Sequence, residues 1–124
     1  MVDIEVVNTK APKAGPYSHA IKAGGFIFIS GQIPSQDAKS IKEQTLSAFK
    51  KIKDILETAG SKVSKIVKVS VFLKNIDDFK EMNEAYKDFF NRNGVTEKYP
   101  ARSTVEATSP LTEFLIEIDA IALA

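Results

Sequence analysis

The sequence predicts one domain over residues 1–124, an α/β or α+β sandwich in which two helices pack on one face of a sheet of about six strands. A length of 124 residues allows one hydrophobic core and is too short for two domains. Hydrophobic residues make up 44% of the chain and charged residues 27%, a balance typical of folded soluble proteins. The predicted elements follow the order β-β-β-α-β-α-β-β, and helices interleaved with strands favour a sheet with a helical layer.

Three strands are predicted before the first helix. The segment Val2–Val7 alternates in polarity as a short strand does. Ser18–Ala23 and Phe26–Ser30 follow, and the pair Gly24-Gly25 between them predicts a tight hairpin. Because Phe26–Ile29 is apolar at every position, we expect both faces of this strand to be covered.

Two amphipathic helices are predicted. The first begins after Ser40, has Glu43 three residues later in a capping-box pattern, and ends at Gly60. Its apolar stripe consists of Ile41, Ala48, Phe49, Ile52, Ile55, Leu56 and Ala59. For the second helix, Asp77 or Asp78 is the predicted cap. Its stripe is expected to belong to the core and consists of Phe79, Met82, Tyr86, Phe89 and Phe90.

Three further strands complete the predicted sheet. The clearest is Ile66–Leu73, and side-chain alternation places on one of its faces Val67, Val69, Val71 and Leu73. The last two strands are Arg102–Ala107 and Leu115–Leu123.

Composition excludes several functional classes. The chain has no cysteine, which rules out disulfides, thiolate nucleophiles and cysteine-based metal sites, and a single histidine rules out a His-rich metal site. A net charge of +1 argues against a nucleic-acid partner held by phosphate neutralisation. The N-terminus has no secretory signal and no apolar run is long enough to span a bilayer, so we expect a soluble, cytoplasmic protein with no membrane partner.

Charged residues interrupt the last two strands. Arg102, Thr104 and Glu106 share one face of their strand, while Glu117 and Asp119 share a face of the other. Acidic side chains in so apolar a strand are costly unless they are solvent-exposed, paired or functional. If the two strands are antiparallel neighbours, Arg102 lies near Glu117, either as a structural ion pair or as part of a functional site. The pattern alone leaves both interpretations open.

Several segments together resemble one known family. Over nearly its whole length the chain resembles the Rid (YjgF) family of reactive-intermediate deaminases, in the segments Gly15-Pro16-Tyr17-Ser18, Ser30-Gly31-Gln32, Asn83, Pro100-Ala101-Arg102-Ser103 and Ile116-Glu117-Ile118. The resemblance implies an α+β, chorismate-mutase-like fold with a mixed sheet, and a homotrimer with sites between its subunits. It also implies hydrolysis of 2-imino and 2-enamino acids, such as 2-aminoacrylate, with no metal and no organic cofactor.

The resemblance further implies roles for individual residues. Arg102 would hold the substrate carboxylate, because a planar guanidinium meets a carboxylate with two parallel hydrogen bonds. Glu117 would handle the water or the proton. The substrate-binding positions implied in this way are Tyr17, Ser30, Gly31, Asn83, Arg102 and Thr104.

The chain departs from the family pattern in three places. Thr104 stands where many members have Cys, so a thiol cannot be essential if the activity is retained. His19 stands where Gln is common, and the segment 107–111 departs from the usual run. These departures predict a different shape for the rim of the cleft.

Two alternatives to an imine deaminase remain at this stage. Some relatives are named ribonucleases or translation inhibitors, although the chain has neither a basic excess nor an aromatic and basic platform for RNA. The other alternative is a non-enzymatic module that binds small acids in the same cleft. Sequence does not separate this module from an enzyme, because binding and turnover would both use Arg102.

Overall fold

A mixed six-stranded sheet carries both helices on one face, in a computed structural model that describes residues 3–111 and 113–124. The strands are β1 (Glu5–Val7), β2 (Ala20–Ala23), β3 (Phe26–Gln32), β4 (Ile66–Leu73), β5 (Ala101–Glu106) and β6 (Ile116–Leu123). The helices are α1 (Ile41–Thr58) and α2 (Phe79–Arg92). In space the strand order is β1-β2-β3-β6-β4-β5, and all neighbours are antiparallel except the parallel pair β4 and β5. The predicted α+β fold is confirmed.

The core lies between the helices and one face of the sheet. Its fully buried side chains come from both layers and include Ile27, Phe49, Ile52, Leu56, Val69, Val71, Met82, Phe90 and Ile118. Phe49 of α1 stacks on Phe89 of α2, with ring centroids 4.6 Å apart, and meets Phe90 edge-on at 5.4 Å. Of the predicted stripe of the second helix, Met82, Tyr86, Phe89 and Phe90 belong to the core. The prediction is wrong for Phe79, which is exposed at the first turn of the helix. None of the helices in the described part of the chain is long and apolar enough to cross a membrane.

The two helices begin differently. At α1 the predicted capping box is present: Ser40 Oγ accepts from the Glu43 backbone N–H at 3.1 Å, and Glu43 Oε1 accepts from the Ser40 N–H at 3.0 Å. At α2 the predicted aspartate cap is wrong, because Asp78 occupies the cap position without a side-chain hydrogen bond. A 3-10 turn at Ile76–Asp78 precedes the helix, in which the Asp78 N–H donates to the Asn75 carbonyl and the Phe79 N–H to the Ile76 carbonyl.

The hairpin between β2 and β3 forms as predicted. Gly24 and Gly25 have φ angles of 59° and 83°, which side chains other than glycine rarely adopt. The expectation that both faces of β3 are covered is wrong within the chain. Ile27 and Ile29 are buried, whereas Phe26 and Phe28 are exposed, because the helices cover only one face of the sheet.

The predicted inward face of β4 holds only in part. Val69, Val71 and Leu73 are fully buried, but Val67 is exposed. The register between β4 and β6 shifts between Ile66 and Lys68. An extra residue in one strand reverses the alternation locally, and this turns Val67 away from the core.

Candidate functional site

An open groove of about 870 Å³ lies beside the irregular end of β3. Its lining includes four of the predicted site residues, Tyr17, Ser30, Gly31 and Glu117, together with His19. The register between β3 and β6 shifts between Ile29 and Gln32, so Ser30 and Gly31 lie in a β-bulge. Bulges of this kind re-aim side chains and occur next to functional sites. The tertiary structure therefore brings these four predicted residues together.

Gly31 and Glu117 are in close contact across the bulge. A Cβ atom at Gly31 would lie 3.0 Å from Glu117 Cδ and nearer still to Oε2. Glycine is thus required for the carboxylate to rest against the backbone of β3. The other carboxylate oxygen, Oε1, accepts from Ser109 Oγ at 3.0 Å. The role of Ser109 was missed from sequence, although it lies in the segment that departs from the family pattern.

A short hydrogen bond holds the loop that carries Tyr17 against β3. Ser30 Oγ donates to the Ser18 carbonyl at 2.6 Å. The Tyr17 hydroxyl oxygen accepts from the Ala14 N–H at 3.2 Å, which leaves the hydroxyl proton available to a ligand. The phenol and Glu117 thus present a donor and an acceptor to the same groove.

Arg102 lies elsewhere, between β5 and α2. Its guanidinium carbon is 4.7 Å from the ring centroid of Tyr86 and 5.6 Å from that of Phe79. The residue is partly buried, and no carboxylate pairs with it in the described ranges 3–111 and 113–124. Burial raises the pKa of the Tyr86 hydroxyl to about 12, and the nearby charge of Arg102 opposes the shift. The two aromatic contacts were not predicted from sequence, where Phe79 and Tyr86 had only a core role.

Three buried side-chain oxygens near this arginine have no hydrogen-bond partner in the described chain. They are Asn83 Oδ1, Tyr86 OH and Thr104 Oγ1. Asn83 is one turn before Tyr86 on α2, and Thr104 is two residues after Arg102 on β5, hence on the same face. An unsatisfied buried polar group costs about 1–3 kcal/mol. A cluster of such groups around an unpaired cation is suited to a ligand with a carboxylate and hydrogen-bond donors.

The predicted proximity of Arg102 and Glu117 is wrong within one chain. Strand β4 lies between β5 and β6, so the two strands are not neighbours. Arg102 is in register with Val69, which faces the helices, whereas Glu117 is in register with Phe72, three residues further along β4. Side chains alternate between the two faces along a strand, so positions three residues apart lie on opposite faces. The side chains of Arg102 and Glu117 therefore lie on opposite sides of the sheet. A structural ion pair between Arg102 and Glu117 of the same chain is excluded as well.

The sequence and the fold are similar to those of known proteins. The chain matches the family model described as Endoribonuclease L-PSP over residues 8–124. A RutC family protein from Pyrococcus abyssi is 47% identical over 126 residues, covering 95% of each chain. A 2-iminobutanoate/2-iminopropanoate deaminase from Salmonella typhimurium is 37% identical over 124 residues, again covering 95% of each chain.

Solved structures agree with these sequence comparisons. The structure of E. coli TdcF with bound serine has a TM-score of 0.88 and 34% identity, covering 97% of this chain and 98% of that one. The YjgF gene product from E. coli has a TM-score of 0.88 and 37% identity, covering 96% and 98%. The chain therefore belongs to the Rid (YjgF) family, and the family predicted from the sequence is confirmed.

Proposed function

We propose that the protein hydrolyses 2-imino and 2-enamino acids, such as 2-aminoacrylate, to 2-oxo acids and ammonia. The observation that carries this proposal is the unpaired, partly buried Arg102 among buried oxygens that lack partners. An unpaired charge removed from water is costly, and a substrate carboxylate would compensate it. The deaminase from Salmonella typhimurium and the serine bound to E. coli TdcF support a small carboxylic acid with nitrogen at C2.

A complete site would need two copies of the chain. Arg102, Asn83 and Thr104 lie on the helix side of the sheet, and Tyr17, Ser30, Gly31 and Glu117 line the groove. Here Arg102 of one copy would meet Glu117 of the next, as in the homotrimer that the resemblance implies. The sheet face opposite the helices supports such packing, because it exposes Val6, Phe26, Phe28, Val105 and Leu123.

The proposed reaction needs positioning and proton transfer. Arg102 would hold the carboxylate, and Asn83 and Thr104 would accept hydrogen bonds from the nitrogen or from an ordered water. Glu117 would orient a water toward C2, where the new C–O bond forms as the C=N bond opens. A proton of the water and then the hydroxyl proton of the carbinolamine would pass by way of Glu117 to the nitrogen, so that the C–N bond breaks, ammonia leaves and the carbonyl forms. Imine hydrolysis is already facile, so orientation supplies much of the required acceleration.

A coupled assay tests the proposal. A dehydratase that releases 2-aminoacrylate is mixed with the protein, and we expect faster release of pyruvate. Arg102→Ala should abolish the gain, since loss of a buried charge partner costs roughly 2–5 kcal/mol. Arg102→Lys is the matched control, because it keeps the charge and loses the planar fork, and we expect an intermediate rate. Full activity in a folded Arg102→Ala protein would refute the assignment.

Mixing two inactive variants tests the shared site. Arg102→Ala and Glu117→Gln are combined after dissociation and reassembly. If one copy supplies Arg102 and the next supplies Glu117, roughly a quarter of the sites should be intact. Recovery of activity is the expected result, and an inactive mixture of correctly assembled trimers would argue for a site within one chain.

Binding without turnover is the competing outcome. Tight binding of 2-oxo acids that depends on Arg102, with no gain in the coupled assay, would indicate a small-acid binding module.

We also propose a cytoplasmic location for the enzyme, which fractionation of the source cells would test.

A further inference from the structure

His19 is held rigidly in the wall of the groove. The residue is 3% exposed, and its Nδ1 accepts from the Thr9 backbone N–H at 2.9 Å. The backbone of the same residue is also fixed, because its N–H donates to Asn8 Oδ1 at 3.0 Å and its carbonyl accepts from the Ser30 N–H at 3.0 Å. The ring therefore has one orientation relative to β3.

The contact with Thr9 determines the tautomer. A backbone N–H only donates, so Nδ1 must carry a lone pair and the neutral ring carries its proton on Nε2. No group in the described ranges accepts a hydrogen bond from Nε2. Because His19 lines the groove together with Tyr17 and Glu117, this N–H is an oriented donor without a partner in the chain.

We propose that His19 is a specificity-determining residue whose Nε2–H binds an acceptor on the side chain of the substrate. This inference rests on the proposed function. In that function, Arg102 binds the substrate carboxylate and Glu117 orients a water toward C2. The remaining group of the substrate is the substituent at C3, and we place it against the wall of the groove that contains His19. The site then favours acids with an oxygen on C3 over alkyl acids of the same size.

The selectivity follows from the cost of an unsatisfied donor. An alkyl ligand that displaces water from Nε2–H offers no acceptor in return, whereas a hydroxyl restores the hydrogen bond. A glutamine at this position would have the same pair of functions. Its amide oxygen would accept from Thr9 and its amide nitrogen would donate into the groove.

Two stable 2-oxo acids give a direct test. 3-Hydroxypyruvate and 2-oxobutanoate differ by a hydroxyl in place of a methyl, and calorimetric titration gives the affinity for each. The unmodified protein should bind 3-hydroxypyruvate roughly 3- to 10-fold more tightly. His19→Leu should bring the ratio to about one, and His19→Gln should keep the preference. A preference that survives in His19→Leu, or its absence in the unmodified protein, would overturn the inference.

Two further measurements separate this role from a structural one. His19→Leu also removes the bond to Thr9, so His19→Glu is the second variant: its carboxylate accepts from Thr9 but donates nothing. We expect His19→Glu to lose the preference too, and a folded His19→Glu protein that kept it would overturn the inference. The coupled assay is the second measurement. If titration shows a preference that depends on His19 but the coupled assay shows no faster release of the 2-oxo acid, the proposed reaction is refuted and the role of His19 as a donor stands. If the protein is active in the coupled assay but shows no such preference, the role of His19 as a donor is refuted and the proposed reaction stands.

Discussion

The guanidinium of Arg102 lies over the ring of Tyr86, with its central carbon 4.7 Å from the ring centroid. Such a cation–π contact contributes about 0.5–2 kcal/mol. The contact holds the guanidinium against the ring before a ligand arrives. The arginine therefore loses little side-chain freedom on binding.

Replacing the ring should weaken ligand binding without removing the cation. We expect Tyr86→Leu to lower the affinity for 2-oxobutanoate roughly 2- to 5-fold, because the guanidinium loses its aromatic support. Tyr86→Phe keeps the ring and is the matched control. Calorimetric titration of both variants measures the effect, and equal losses in the two would assign it to the hydroxyl instead.

Stability at alkaline pH should report the buried phenol. The pKa of Tyr86 is raised from its usual 10.0 to about 12 by burial, so the folded state favours the neutral form. This contribution is complete below pH 10, and it is lost as the pH rises through about 12. Urea unfolding between pH 9 and 12 should show stability falling faster in the unmodified protein than in Tyr86→Phe. Parallel curves would show that another group causes the loss.

A methyl group at Gly31 should damage the site more than the fold. Gly31→Ala places a Cβ against the carboxylate of Glu117, which must move. The backbone at Gly31 does not have a positive φ, so alanine strains only this contact. We expect a large loss of deaminase activity with a small change in melting temperature. Gly15→Ala is the control, since its Cβ would meet Tyr17 at an ordinary 3.7 Å.

The capping box of α1 should contribute to stability alone. Ser40→Ala removes the acceptor of the Glu43 N–H, and such caps contribute about 0.5–2 kcal/mol. Chemical denaturation should show a loss of this size, while kcat and KM stay unchanged. Ser64→Ala, at another exposed serine, provides the baseline for a surface change. A change in catalytic constants in Ser40→Ala would connect α1 to the site in a way that the structure does not suggest.

Local patterns predicted the elements well. Ser40 with Glu43 begins a helix and Gly24-Gly25 turns a hairpin, because each feature depends on a few neighbouring residues. Two of the predictions that were wrong concern the exposure of side chains, which depends on residues that pack against the segment from elsewhere in the chain. The exposure of Phe28 depends on which sheet face the helices cover, and the exposure of Val67 depends on a register shift against β6.

For the candidate site, the sequence by itself predicted which residues belong to it, through the order and spacing of the family segments. Only the tertiary structure decided how they are grouped. Alternation places Arg102 and Glu117 each on a face of its own strand, but it does not say which strands are neighbours. Because β4 inserts between β5 and β6, the arginine and the glutamate leave opposite faces of the sheet. Strand order is a long-range property of the whole chain, and it separates the predicted site into two halves.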